Sequence, residues 1–126
     1  MERALIADLI NWKEKPCRKP LILKGVRQCG KTYLLKAFGE QCYDSFAYFN
    51  FEETEALKTV FEKDYNTDRI LFELGLFAGK TIEAGHTLVI LDEIQECGRA
   101  ITAMKYFCEN APEYHTVCAG SLLGIA

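Results

Sequence analysis

Gly25-Val26-Arg27-Gln28-Cys29-Gly30-Lys31-Thr32 fits the pattern G-x-x-x-x-G-K-[ST] at every position. A backbone that obeys this pattern leaves a strand, wraps closely around an anion and enters a helix. Gly25 and Gly30 permit the tight path and the close approach of backbone N–H groups. Lys31 brings a positive charge to the anion, and the Thr32 hydroxyl supplies a hard oxygen ligand for a divalent cation. The flanks meet the requirement. Leu21, Ile22 and Leu23 form a short apolar run between Pro20 and Gly25, and Leu34, Leu35 and Phe38 follow at helical spacing.

The rest of the chain repeats this alternation. Leu5, Ile6, Leu9, Ile10 and Trp12 predict an amphipathic helix over residues 2–14, with Trp12 as its core anchor. The aromatic run from Phe46 to Phe51 predicts a second strand whose rings belong to the core. Leu57, Val60 and Phe61 mark a helix. Ile70, Leu71, Leu74 and Phe77 mark another, running to Ala78 and capped by Thr67 or Asp68. Thr87 to Leu91 predicts a third strand. A helix around Ile101, Met104 and Phe107 stops at Asn110 and Pro112, and Thr116 to Ala119 predicts a fourth strand. Apolar strands alternating with helices predict an α/β fold of three layers, a parallel sheet covered on both faces.

The third strand runs straight into Asp92 and Glu93. In an open α/β sheet, ligands bind beyond the carboxyl ends of the strands, so this acidic pair is expected beside the glycine-rich loop. Asp92 suits a magnesium ion, held directly or through water, and Glu93 suits polarisation of an attacking water. Asn50 and Glu52, at the end of the second strand, are weaker candidates for supporting contacts.

Composition narrows the possibilities further. The 126 residues carry 26% charged side chains and a net charge of −3, an ordinary globular balance with room for one domain. Residues 1–36 hold nine Lys/Arg against three Asp/Glu, and residues 37–126 hold six against fifteen. A basic first third suits the surroundings of a polyanion, but solvated loop charges such as Lys13, Lys15, Arg18 and Lys19 are the commoner explanation. No apolar run is long enough to span a membrane, and no export signal is evident, which predicts a cytoplasmic protein. The six cysteines contain no C-x-x-C and read as reduced thiols. Cys29, beside a helix N-terminus, is the one whose alkylation should block the loop. His86 and His115 share no zinc-ligand spacing with a cysteine pair.

Taken together, LILKGVRQCGKT, TLVILDEIQE and HTVCAGSLLG resemble the P-loop ATPases of the AAA+ class. They are most similar to bacterial and archaeal predicted ATPases that pair a G-x-R-Q-x-G-K-T loop with a D-E-I-Q motif. The resemblance covers nearly the whole chain, so residues 1–126 are expected to be one AAA+ type ATP-binding domain. It implies ATP and Mg²⁺ as ligands and a sheet of strand order 1-4-3-2. Lys31 and Glu93 would be catalytic. Residues Gly25, Val26, Arg27, Gln28, Cys29, Gly30, Lys31 and Thr32 would bind the nucleotide, and Thr32 and Asp92 would hold the metal. Ser121 would take the place of a sensor near the γ-phosphate.

Relative to the family, a fifth strand, the helical lid and the segments that carry a trans-acting arginine are missing. The domain is therefore expected to be an N-terminal fragment, incomplete at its C-terminus and marginally stable. Self-association or a C-terminal domain of a longer chain would complete it, and DNA, a partner protein or a transport substrate are open as targets of the work. The expected activity is Mg-dependent ATP hydrolysis. The alternatives are an ATP-dependent switch with little turnover and an inactive fragment. The guanine-reading N-K-x-D segment and the L-S-G-G-Q signature of transporter ATPases are both absent.

Overall fold

The computed structural model describes residues 2–14, 20–24 and 31–120. Helix α1 (Glu2–Glu14) precedes strand β1 (Leu21–Lys24), and helix α2 (Lys31–Cys42) leads to strand β2 (Ser45–Asn50). Two helices follow, α3 (Leu57–Val60) and α4 (Thr67–Ala78), and then strand β3 (Thr87–Asp92). A 3₁₀ turn (Ile94–Glu96) connects β3 to helix α5 (Gly98–Asn110), and strand β4 (Thr116–Gly120) comes last. All three strand pairings are parallel, and the order is β1-β4-β3-β2, as the resemblance implied.

The centre of the sheet explains the layering. Every residue of β3 is buried, which requires cover on both faces. Successive side chains point to opposite faces, so Leu88 and Ile90 enter one core while Val89 and Leu91 enter the other. The first core is closed by Leu9 and Trp12 of α1 and by Leu35 and Phe38 of α2. The second is closed by Leu57, Phe61, Ile70, Leu74, Met104 and Phe107. Each such apolar side chain contributes about 1.5–3 kcal/mol when fully buried.

Local signals set most element ends. Helix α4 covers the expected residues, but its cap is Asn66, one position earlier than Thr67. The Asn66 side chain accepts the Arg69 N–H at 3.0 Å, and Thr67 is already helical and buried. Gly79 ends the helix at φ 73°, a left-handed conformation that favours glycine. Arg69 then ties the turn before α4 to the helix. Its guanidinium pairs with Asp64 at 2.9 Å and Glu73 at 3.0 Å, and donates to the Val60 carbonyl. The Asn66 N–H and that guanidinium hold the Asp64 carboxyl below its ordinary value.

Strand β4 runs one residue past expectation, to Gly120, and two further strands differ at their ends. Strand β2 begins one residue early and ends at Asn50, and β3 extends to include Asp92. Pairing explains both: Ser45 lies opposite Thr87 and Asn50 opposite Asp92, so the two strands share six registered positions. Among the described residues, Cys42, Cys97, Cys108 and Cys118 are free thiols. No described helix is long and apolar enough to cross a membrane.

Candidate functional site

The parallel register of β2 and β3 builds a polar corner at the carboxyl end of the sheet. Because Asn50 pairs with Asp92 and Tyr48 with Ile90, these four side chains share one face, the face covered by α2. The first turn of α2 brings Thr32 onto the same corner. Thr32 Oγ1 donates to Asp92 Oδ2 at 2.6 Å, joining residues 60 positions apart. One turn further along α2, the Lys36 ammonium stands 4.1 Å from the centre of the Tyr48 ring, a cation–π contact.

Asp92 is only 5% exposed, and a buried carboxylate needs donors. It has three. Oδ2 accepts from Thr32 and also from the Tyr48 hydroxyl at 2.6 Å, and Oδ1 accepts the Glu93 N–H at 2.9 Å. Burial, and then the hydrogen bond to Asp92, push the Tyr48 phenol up to about 12, so it is a proton donor at neutral pH. Asn50 supports the ring: its Nδ2 donates to the Tyr48 oxygen at 3.2 Å while its Oδ1 accepts the Glu52 and Glu53 N–H groups.

Glu93 follows with φ 53° and ψ 44°. A left-handed conformation at a residue other than glycine costs on the order of 1 kcal/mol or more and is held by its surroundings. Here the 3₁₀ turn fixes it from the far side, with the Glu96 N–H bonded to the Glu93 carbonyl at 3.1 Å. The twist turns the Glu93 side chain away from that of Asp92 and toward Gln95, whose Nε2 donates to Glu93 Oε1 at 2.7 Å. Two adjacent carboxylates thus have separate partners and separate orientations.

Of the expected site residues, the structure brings Thr32, Asp92 and Glu93 into one corner. Lys31 is the first residue of α2 and so adjoins it; its side chain lies outside the described residues. Gly25, Val26, Arg27, Gln28, Cys29, Gly30 and Ser121 also lie outside them. The strands that lead into these two segments finish side by side, with Lys24 opposite Gly120. Glu52, exposed, donates its N–H to Asn50 Oδ1 at 2.9 Å. Tyr48 corrects the expectation that the aromatic strand is all core: Phe49 and Phe51 are buried, whereas the Tyr48 hydroxyl reaches Asp92. Counting back in steps of two from Asn50 would have put Tyr48 on this face, but only with the β2–β3 register known.

The corner suits a hard cation. Magnesium prefers oxygen ligands and keeps most of its shell for water and phosphate, taking only one or two groups from the protein. Thr32 and Asp92 supply such oxygens. Among the described residues, no group of three or more His, Cys, Asp or Glu could form a protein-only metal cage.

Comparison with known proteins agrees with this architecture. C. elegans PCH-2 superposes with a TM-score of 0.56 at 16% identity, over 98% of this chain and 37% of its own. Katanin superposes with a TM-score of 0.51 at 18% identity, over 90% of this chain and 38% of its own. These likenesses show the fold, and the chain spans well under half the length of either protein. No curated protein sequence matches it. A family of AAA domains, which are nucleotide-binding domains of ATPase type, matches residues 17–126. That match takes in the glycine-rich loop, the Thr32–Asp92 corner and all four strands, and the chain belongs to the AAA domain family.

Proposed function

We propose that this domain binds Mg-ATP and hydrolyses it. The observation that carries the proposal is the Thr32–Asp92 hydrogen bond of 2.6 Å, which fixes the two oxygen groups suited to magnesium at the start of α2. In this reading the backbone from Gly25 to Gly30 cradles the phosphates and Lys31 neutralises them. Thr32 and Asp92 hold magnesium, which when bound would offset charge on the β- and γ-phosphate oxygens. Asp92 has one lone pair left on Oδ1 after its three hydrogen bonds, which favours contact through a metal-bound water.

Glu93 accepts a proton from the attacking water as its oxygen bonds to the γ-phosphorus; the bond to ADP breaks on the opposite side. Gln95 fixes one Glu93 oxygen by hydrogen bonding, which orients the carboxylate. Ser121 contacts the γ-phosphate from the end of β4. Katanin self-assembles, and in this reading the domain self-associates as well. The cytoplasm is the proposed location.

Nucleotide binding and turnover, measured separately, test this proposal. A fluorescent ATP analogue should bind this chain in magnesium, and Lys31→Ala should abolish the binding. Glu93→Gln should keep the binding and lose turnover. Turnover that Glu93→Gln leaves unaltered would favour an ATP-dependent switch instead, and absence of binding would remove both readings.

A further inference from the structure

We propose that Tyr48 is a positioning residue for the metal-binding carboxylate of Asp92, acting through its hydroxyl. This inference rests on the reading that Thr32 and Asp92 hold magnesium. The Asp92 carboxylate is held at both oxygens. Oδ2 takes two hydroxyl donors, Thr32 from α2 and Tyr48 from β2, each at 2.6 Å, and Oδ1 takes the Glu93 N–H. The terminal torsion of an aspartate is broad and roughly two-fold, so a single donor leaves it free to swing. Two donors on one oxygen, from separate elements, remove that freedom.

They also fill both lone pairs of Oδ2. That leaves Oδ1 as the oxygen that would meet a metal-bound water. The Thr32 hydroxyl proton is committed to Asp92, which leaves the Thr32 oxygen lone pairs for the cation.

Tyr48 is itself held on three sides. Asn50 donates to its oxygen, the Lys36 ammonium lies over its ring, and the strand pairing fixes its backbone opposite Ile90. Through Asn50, whose Oδ1 caps the Glu52 and Glu53 N–H groups, the turn after β2 connects to the carboxylate in an unbroken chain of hydrogen bonds. The geometry of the metal site therefore depends on the β2 edge of the sheet as well as on the glycine-rich loop and β3.

The test is Tyr48→Phe, which removes one oxygen from a half-buried ring. Mn²⁺, a spectroscopic stand-in for Mg²⁺, is titrated by electron paramagnetic resonance in saturating ATP. Loss of a partner that orients a metal ligand costs about 10–100-fold in metal affinity. The expected result is a rise of about tenfold in the Mn²⁺ dissociation constant, with metal-free ATP affinity changed less than about twofold. A purely structural role would weaken both together or lower the melting temperature alone.

Asp92→Asn and Thr32→Val separate the two levels of the proposal. If they weaken Mn²⁺ binding and Tyr48→Phe does not, Tyr48 is not a positioning residue and the metal site stands. If neither weakens it, the metal reading itself fails. Should Tyr48→Phe lose its fold, Asn50→Ala keeps the Tyr48 ring and hydroxyl and removes the donor to that hydroxyl, together with the cap on the Glu52 and Glu53 N–H groups. A loss of about threefold in Mn²⁺ affinity is then expected, on a fraction of the same partner effect, and wild-type affinity would overturn the proposal.

Discussion

Two tyrosines hold hydrogen bonds at opposite ends of the sheet, and their surroundings differ. At the amino end Tyr43, just before β2, is bonded through its hydroxyl to His115 Nδ1, just before β4. The Tyr43 ring meets His115 at 84° and Phe38 at 85°, and Trp12 packs edge-on to His115 at 5.8 Å. Both partners are buried among aromatic rings. At the carboxyl end Tyr48 is bonded to Asp92, but Thr32 from the first turn of a helix stands on the same oxygen, and Lys36 lies over the ring. The first pair sits in the apolar and aromatic cluster that binds the helices to the sheet, with the Lys13 ammonium 5.0 Å from the centre of the Tyr43 ring. The second is surrounded by a hydroxyl, an ammonium, an amide and a second carboxylate. A parallel sheet places its ligands at the carboxyl end, so the same kind of tyrosine bond closes the core at one end and orients a carboxylate at the other.

The largest effect that would sharpen this contrast is at Glu93. Glu93→Gln should lower ATP turnover by about 10²-fold or more, as removal of a general base does, with the melting temperature nearly unchanged. Trp12→Ala should do the reverse. It should cost about 3–5 kcal/mol in denaturant unfolding while the folded fraction binds nucleotide normally. If Trp12→Ala weakened nucleotide binding in the folded protein, the two ends would be coupled and the contrast would break.

The tyrosines themselves give the closest comparison. Tyr43→Phe removes a hydrogen bond inside an apolar cluster and should cost about 1–3 kcal/mol of stability. Tyr48→Phe, at a half-buried site that water reaches, should cost less than about 1 kcal/mol, its effect falling on the metal instead. Equal stability losses would undo the distinction.

The smallest effect concerns thiols. Burial pushes the Cys118 thiol of β4 well above its ordinary value. In the native protein at pH 8, Cys118 and buried Cys97 should react with an aromatic disulfide reagent far more slowly than half-buried Cys42 and Cys108. Mass mapping of the labelled peptides would show the order, and early labelling of Cys118 would mean that β4 opens locally.

Much of this was legible because local chemistry decided it. The span of α4 follows from its apolar period and from Gly79, which only a left-handed turn requires. The buried run Leu88–Leu91 between turns can be little else than a central strand. The acidic pair was found because it ends that strand. The N-cap was misplaced by one residue because Asn66, Thr67 and Asp68 are all capable caps, and Thr67 is buried instead. The role of Tyr48 was not legible at all. An aromatic residue in an aromatic run looks like core until its partner strand and its register are known.

The amino-acid sequence alone therefore determined the element order, the alternation of strand and helix, and the residue types fit to meet phosphate and magnesium. These depend on neighbours within a few positions, where periodicity and turn preference act. Tertiary structure decided which hydroxyls reach Asp92 and how Glu93 is turned from it. Those contacts join Thr32, Tyr48 and Asp92 across separations of 60 and 44 residues, and they exist only once β2 has paired in register with β3.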